Sequence, residues 1–352
     1  MNIRQLAEHL KLGKSTVQRA LSGHPGISES TRARVQMAAT ELGYHPDALF
    51  SILGSQSRRT RSNSLSIAYL GHAPSRVIKE RRGVSSFSFA ELRGKELGYN
   101  VELVNIEGLG AGKRLMDVLF HRGFVGVLLG VTRPEDHDAI LANKDLSVVC
   151  CGRIDPLPLH TVQCDVTEDT RCVWKKLLAA GYRRIGPAIC SHNPILEDDS
   201  DRYGTVLACQ AQTLEPKDRV PPLLAPVYDT QALLEWFHRE KPEAVLGFSN
   251  GQYYKLRDEG GVDMSRIAYA TTHTSTSEYD AKIAGTIEPC ESIAREAMNL
   301  MDQLVRHRSI GVPNQPLHVL LPGQWQDGAS LRNKSDLPLA GSSAKKKPAK
   351  KH

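Results

Sequence analysis

Several common signatures are missing from this 352-residue chain. Its seven cysteines include no CxxC pair, and Cys150 and Cys151 are neighbours inside an apolar run. An odd, scattered set without metal-ligand spacing argues against a disulfide framework or a zinc module and favours reduced, buried thiols. No apolar run reaches the ~20 residues that a membrane-spanning helix needs. The opening "MNIRQLAEHLKLG" holds an acid and no long apolar stretch, so no secretory leader is expected. A phosphate-cradling glycine loop, a nucleophile elbow and a metal-ligand motif are also lacking, so no enzyme, cofactor or metal is expected. The "GLGAG" run at 108–112 sits in an expected turn and lacks the rest of a GxGxxG context. The acids of "HNPILEDDSD" cluster near His192 and suit either a cation or a solvated loop.

What is present begins with charge. Apolar residues at 40% and charged residues at 24% are ordinary for a globular protein, and the length suits two or three domains. The formal charge is +6, and the surplus sits at the ends. Residues 1–64 carry Arg4, Lys11, Lys14, Arg19, Arg32, Arg34, Arg58, Arg59 and Arg61 against Glu8, Glu29, Glu41 and Asp47. Lys345, Lys346, Lys347, Lys350 and Lys351 form a second basic block. Such ends suit a polyanion.

The first 46 residues read as three short helices. Ile3, Leu6, Ala7 and Leu10 fall at i, i+3, i+4 and i+7, one apolar helix face, with Asn2 as its cap. After "KLG", the run "KSTVQRAL" makes a second helix with Val17, Ala20 and Leu21 inward. Ser28 caps a third, from about Glu29 to Leu42, with Thr31, Val35, Ala38 and Leu42 on one side, and Gly43 then Pro46 end it. Two helices around a tight turn describe a helix-turn-helix, whose second helix enters the major groove. Lys14, Ser15, Gln18 and Arg19 are then the candidate base-reading residues. Lysine and arginine bond guanine O6 and N7, and glutamine pairs with adenine N6 and N7. Asn2, Thr16 and the helix N-terminus suit a phosphate.

The stretch from "IRQLAEHL" through "TRARVQMAATELGYHP" resembles the N-terminal domain of LacI/GalR-family bacterial transcription regulators. The resemblance is carried by Leu6, Ala7, Thr16, Val17, Arg19, Leu21, Ser28, Thr31, Arg32, Val35, Ala38, the "LGY" at 42–44 and Pro46. It implies a homodimer on a pseudo-palindromic operator, in the bacterial cytoplasm and at the nucleoid when DNA-bound. Lys11-Leu12-Gly13 stands where the family usually has Gly-Val-Ser, so either Lys11 accepts a less comfortable backbone or the turn differs slightly, and Gly13 replaces a serine cap. Residues 47–64 are read as hinge and basic linker. The resemblance implies a hinge helix that wedges Leu53, with Ile52 beside it, into the minor groove. Arg58, Arg59 and Arg61 are candidate phosphate contacts there, against the alternative of a flexible linker.

From residue 65 to 330, short β-rich runs ("SLSIAYLG", "NVELVNI", "FVGVLLGV", "LSVVCCGR", "RRIGPAIC", "AVLGFS", "RIAYAT") alternate with amphipathic segments. Alternation at this length implies two parallel sheets covered by helices, with a cleft between two lobes. The expected fold class is therefore a three-helix helix-turn-helix domain plus a two-lobed α/β domain. The second resembles the family's periplasmic-binding-protein-like effector domain through "HRGFVGVLLG", "LLAAGYRRIGPAI" and "KPEAVLGFSNGQ". That resemblance implies effector contacts from Arg202 and Asn250. Gly251 stands where the family has an aspartate, leaving Thr271, Thr272 and His273 as neutral substitutes. A surface ion pair with Asp198, Asp199 or Asp201 is the alternative for Arg202. Residues 331–352 are read as a disordered basic tail. The expected function is an operator-binding regulator, a repressor, controlled by a sugar, sugar acid or purine-like effector. The alternatives are a soluble small-molecule-binding protein without operator function, and an enzyme using the cleft.

Overall fold

The computed structural model describes residues 3–21, 26–42, 64–71, 86–109, 114–130, 132–152, 157–192, 195–226, 229–274 and 282–336. Asn2, Ile52, Leu53, Arg58, Arg59, Arg61 and residues 337–352 of the basic tail lie outside them. Residues 331–336 of the tail expected to be disordered are instead described and ordered, Arg332 O accepting from Tyr182 Oη at 3.0 Å and Lys334 Nζ donating to Glu243 at 2.8 Å. The chain divides into two compact units: residues 1–63 with 303–309, and residues 64–302 with 310–352.

In the first unit, α1 (Ile3–Leu10), α2 (Lys14–Leu21) and α3 (Glu29–Glu41) follow the apolar spacing. Leu6, Ala7, Leu10, Val17, Ala20, Val35, Ala38 and Ala39 close one small core. The third helix ends one residue earlier than its pattern suggests. Leu42 is consequently 38% exposed, not inward, and Ala39 takes the buried place. Lys11 has φ 51°, the left-handed region where a side chain is strained, as its position in a glycine place requires. The turn is held by Lys11 N donating to Glu8 O (3.1 Å) and Leu12 N to Ala7 O (3.0 Å). Gly13 starts α2 through its carbonyl alone, which accepts from Thr16 N (2.9 Å) and Val17 N (3.1 Å). Ser28 Oγ caps α3 by accepting from Thr31 N at 3.3 Å. Arg34 donates to Leu10 O at 2.6 Å, tying α3 to the end of α1.

The second unit holds two six-stranded sheets. The first contains β1 (Leu65–Gly71), β2 (Tyr99–Asn105), β3 (Phe124–Leu129), β4 (Ser147–Cys151), β5 (His160–Cys164) and, from the far end of the chain, β11 (His318–Leu321). Its order is β11-β5-β4-β3-β1-β2, with every pair parallel. The second contains β6 (Ile185–Cys190), β7 (Leu223–Ala225), β8 (Ala244–Gly247), β9 (Ala268–Thr274), β10 (Ala284–Ile287) and β12 (Gln324–Gln326). Its order is β12-β10-β9-β8-β6-β7, with only β12 antiparallel. Parallel strands need crossovers, and helices supply them. In the first lobe these are α4 (Ser86–Leu97), α5 (Leu115–His121) and α6 (His137–Leu141). In the second they are α7 (Val166–Ala179), α8 (Glu197–Thr213), α9 (Thr230–Glu240) and α10 (Asn250–Tyr254). A long α11 (Cys290–His307) follows β10, and its Met301 sulfur and methyl fill the space a side chain at Gly126 would need.

Each lobe has its own core. Leu70, Leu119, Val127, Leu129, Ile140 and Leu146 pack in the first. The second sheet is covered on both faces, by Val173, Trp174 and Val206 on one and Leu233, Trp236 and Tyr269 on the other. The chain passes between lobes three times: after β5, after β10, and between β11 and β12. Short strands β5, β7, β10, β11 and β12 were not among the expected runs, because they are brief and some are polar. All seven cysteines are free of disulfides. Burial pushes the Cys150 and Cys151 thiols up to about 12.

Candidate functional site

The reading helix comes first in the chain. Val17 and Ala20 of α2 are fully buried, which turns the other side of the helix outward. Lys14, Ser15 and Arg19 are exposed and Thr16 is half-exposed. Gln18 lies in the same helix. With the basic residues outward and the N-terminal turn starting at Gly13, α2 presents donors for base edges and phosphate.

The second site lies where β6, β8 and β9 end. At the end of β6, Cys190 is buried and His192 follows it outward. The first turns of α8 bring Asp198, Asp199 and Arg202 beside them, all buried. The Asp199 carboxylate accepts from His192 N (2.8 Å), Leu196 N (3.1 Å) and the His192 ring at Nδ1 (2.9 Å). Burial alone would raise this carboxyl. The His192 and Leu196 donors outweigh it and hold Asp199 below the ordinary aspartate value.

Arg202 is 5% exposed, so it is no surface ion pair. Its nearest acids are Asp198 at 3.5 Å and Asp199 at 4.0 Å, both beyond good hydrogen-bonding distance. Its Nε is buried without a hydrogen-bond partner. Leaving such a donor unmatched costs about 1–3 kcal/mol or more, so the group is held ready for an acceptor. Burial lowers the guanidinium pKa, an effect opposed chiefly by Asp199.

Beyond β8 the chain turns sharply through Phe248. Tyr269 Oη donates to Ser249 O at 2.6 Å, and a Cβ at Gly247 would collide with that phenol. Phe248 N donates to Gln252 Oε1 at 2.7 Å, fixing the turn against the start of α10. The Phe248 ring thereby becomes the centre of the site. His273 stacks on it at 5.3 Å with planes 14° apart, Arg202 lies over it at 5.0 Å, and His192 meets it edge-on at 6.1 Å. These residues are separated by up to 81 positions in sequence, and only the sheet order brings them together.

The remaining expected ligand residues divide. Asn250 is almost buried, and its Oδ1 accepts from Thr274 at 3.2 Å. Thr271 and Thr272 are buried in the central strand β9. Their hydroxyls donate inward, Thr271 to His273 O (3.2 Å) and Thr272 to Gly247 O (3.4 Å). They build the framework beneath the rings. Phe248 was overlooked in the sequence, although the quoted "FSN" contains it; one aromatic among small residues at a strand end was the available signal.

Behind Arg202, Asp169 in the first turn of α7 ties two of the interlobe crossings together. It accepts from Gly323 N (2.7 Å), between β11 and β12, and from Cys164 Sγ (3.1 Å), at the end of β5. Burial raises its carboxyl to about 6. A separate cavity of about 410 Å³ lies near the opposite strand ends, lined by Tyr182, Phe237, Pro242 and Ile267, and shares no residue with this cluster.

Residues 2–47 match the model for bacterial regulatory proteins of the lacI family. The N-terminal domain belongs to the lacI family. Over 47 residues, 13% of each chain, it is 51% identical to the HTH-type transcriptional regulator AglR of Rhizobium meliloti (strain 1021). That match spans far less than two thirds of AglR. The HTH-type transcriptional regulator TreR of Escherichia coli (strain K12) is 25% identical over 238 residues, 63% of this chain and 67% of TreR. A lac repressor dimer structure, bound to operator and the anti-inducer ONPF, aligns with a TM-score of 0.57 at 16% identity, over 94% of this chain and 99% of that one. At that identity the likeness establishes the fold alone.

Proposed function

We propose that this chain is a sequence-specific DNA-binding transcriptional regulator, a repressor of the LacI type, acting as a cytoplasmic homodimer on operator DNA. The observation that carries the proposal is a lacI-family domain whose α2 turns Lys14, Ser15 and Arg19 outward, joined in one chain to a two-lobed α/β unit. Lys14, Ser15, Gln18 and Arg19 read bases, and Asn2, Thr16, Arg58, Arg59 and Arg61 contact phosphate. Ile52 and Leu53 are the minor-groove wedge. The regulators among its relatives support this reading over an enzyme. Among the described residues, no helix is long and apolar enough to cross a membrane.

The effector, a sugar, sugar acid or purine-like molecule, is held by Arg202, Asn250 and His273 against the Phe248 face. The unmatched Arg202 Nε supports this placement. An effector that favours one closure of the lobes changes DNA affinity by a coupling factor, and DNA changes effector affinity by the same factor. Two variants test the halves separately. Arg19→Ala should weaken the preferred operator by about 1–3 kcal/mol while leaving bulk DNA nearly unaffected. Equal weakening on every duplex would remove Arg19 from base reading. A thermal-shift screen of sugars, sugar acids and purines should find a stabilising effector, with the shift lost in Arg202→Ala. An unchanged shift in that variant would remove Arg202 from the site.

A further inference from the structure

We propose that Cys190, His192 and Asp199 form a three-ligand site for a divalent transition metal of the zinc type. One ligand atom from each lies within 4.8 Å of the others. Cys190 Sγ and His192 Nδ1 are 3.8 Å apart, and Nδ1 lies 2.9 Å from Asp199 Oδ1. Tetrahedral bonds of ~2.3 Å to sulfur and ~2.0 Å to nitrogen and oxygen put the same pairs roughly 3.5 and 3.3 Å apart. Those two separations change by about 0.3–0.4 Å on that same geometry, and the Cys190 sulfur and Asp199 oxygen, within 4.8 Å of each other, close to ~3.5 Å. The His192 side chain is 43% exposed and can follow the ion, while Cys190 and Asp199 are buried.

The carboxylate is already oriented for the task. Asp199 Oδ2 accepts the backbone N–H groups of both His192 and Leu196, which leaves Oδ1 turned to the ring. Such outer hydrogen bonds aim a ligand and keep it ionised. Charges also balance. A Cys190 thiolate and the Asp199 carboxylate offset a 2+ ion, while Arg202 has Asp198 at 3.5 Å. Thiolate and imidazole select zinc, cobalt or similar ions over magnesium and calcium. On binding, the Cys190 S–H bond breaks, the sulfur pair bonds the metal and the proton leaves to solvent. The Nδ1 proton that Asp199 accepts in the metal-free chain moves by way of solvent to the exposed Nε2, which frees the Nδ1 lone pair for the metal and releases no second proton. Three protein ligands leave a fourth position for water or a ligand oxygen. The ion would pin the end of β6 to the first turn of α8, next to Arg202. Spacing in sequence conceals this site, because Asp199 arrives from the next helix.

The test uses the full chain, stripped with chelator under phosphine reductant and titrated with Zn²⁺ and Co²⁺. One ion should bind per chain, with a thiolate-to-cobalt charge-transfer band and, by calorimetry in two buffers, one proton released. Cys190→Ser should abolish the band. His192→Gln, at an exposed position where folding is secure, should weaken Zn²⁺ binding at least ~100-fold, more than the loss of an outer partner. Cys172→Ser and Cys209→Ser should bind as the parent does. The proposal is overturned if the parent binds Zn²⁺ no tighter than about 100 µM, about −5.5 kcal/mol. It is equally overturned if His192→Gln binds like the parent. The second variant decides the matter even if Cys190→Ser fails to fold.

Discussion

Asp169 offers a measurable consequence of the way the lobes are joined. Its carboxylate is 3% exposed and accepts from Gly323 N and Cys164 Sγ, so ionisation takes place with little water nearby. Burial raises the folded pKa from the ordinary aspartate value of 3.8 to about 6. The folded chain therefore holds this proton more tightly than the unfolded chain. Stability from this group is fully present below pH ~3.8 and is lost as pH rises through ~6. With 1.36 kcal/mol per pH-equivalent, the whole loss is about 3 kcal/mol, of which roughly 1.4 kcal/mol falls between pH ~5 and ~7.5. Asp169→Asn keeps an acceptor for Gly323 and removes the titration. The assay is urea unfolding of parent and variant at both pH values, followed by tryptophan fluorescence. Trp174, Trp236 and Trp325 are the only tryptophans of the sequence, and all lie in the second unit. The stability difference, variant minus parent, should grow by about 1.4 kcal/mol from pH ~5 to ~7.5. A difference that is flat with pH, or that shrinks, would refute the burial argument.

Two further outcomes follow from local geometry. Ser28→Ala removes the α3 cap and should destabilise the first unit by about 1 kcal/mol, read from its far-ultraviolet melt; no change would mean that the cap is idle. Gly247→Ala places a methyl against the Tyr269 phenol and should cost about 1–3 kcal/mol in the second unit while displacing Phe248 and weakening effector binding. Parent-like stability and effector affinity would show that the turn does not depend on that close approach.

The helix-turn-helix was legible because its pattern is local. Apolar spacing, Ser28 and the awkward Lys11 all act within a few residues, and Lys11 indeed sits at φ 51°. Leu42 was misplaced because an apolar residue in phase with a helix says nothing about where that helix stops. In the two-lobed unit, apolar runs mark β1, β2, β3, β4, β6, β8 and β9, whereas the inner strands β5 and β10 are short and partly polar and carry no such run. The edge strands β11 (HVLL) and β12 (QWQ) are too short to stand out as runs, and their pairing depends on crossings from distant chain. The effector cluster was legible in part. Arg202 among aspartates suits an effector contact or a surface ion pair in sequence, and the 5% exposure that α8 gives it removes the second. Thr271 and Thr272 looked like ligands because they are polar, whereas a central strand consumes their hydroxyls. The stack of Phe248 on His273 joins residues 25 positions apart and has no local signature.

The central claim is that this chain recognises one duplex sequence through α2. The direct measurement is selection of duplexes from a random pool by the full chain, followed by affinity for the selected duplex at rising salt. A pseudo-palindromic sequence should be enriched. A dimer making ~6–10 phosphate contacts should lose about 10³–10⁵ in affinity between ~50 and ~200 mM salt. No enriched sequence, together with a flat salt response, would contradict the account.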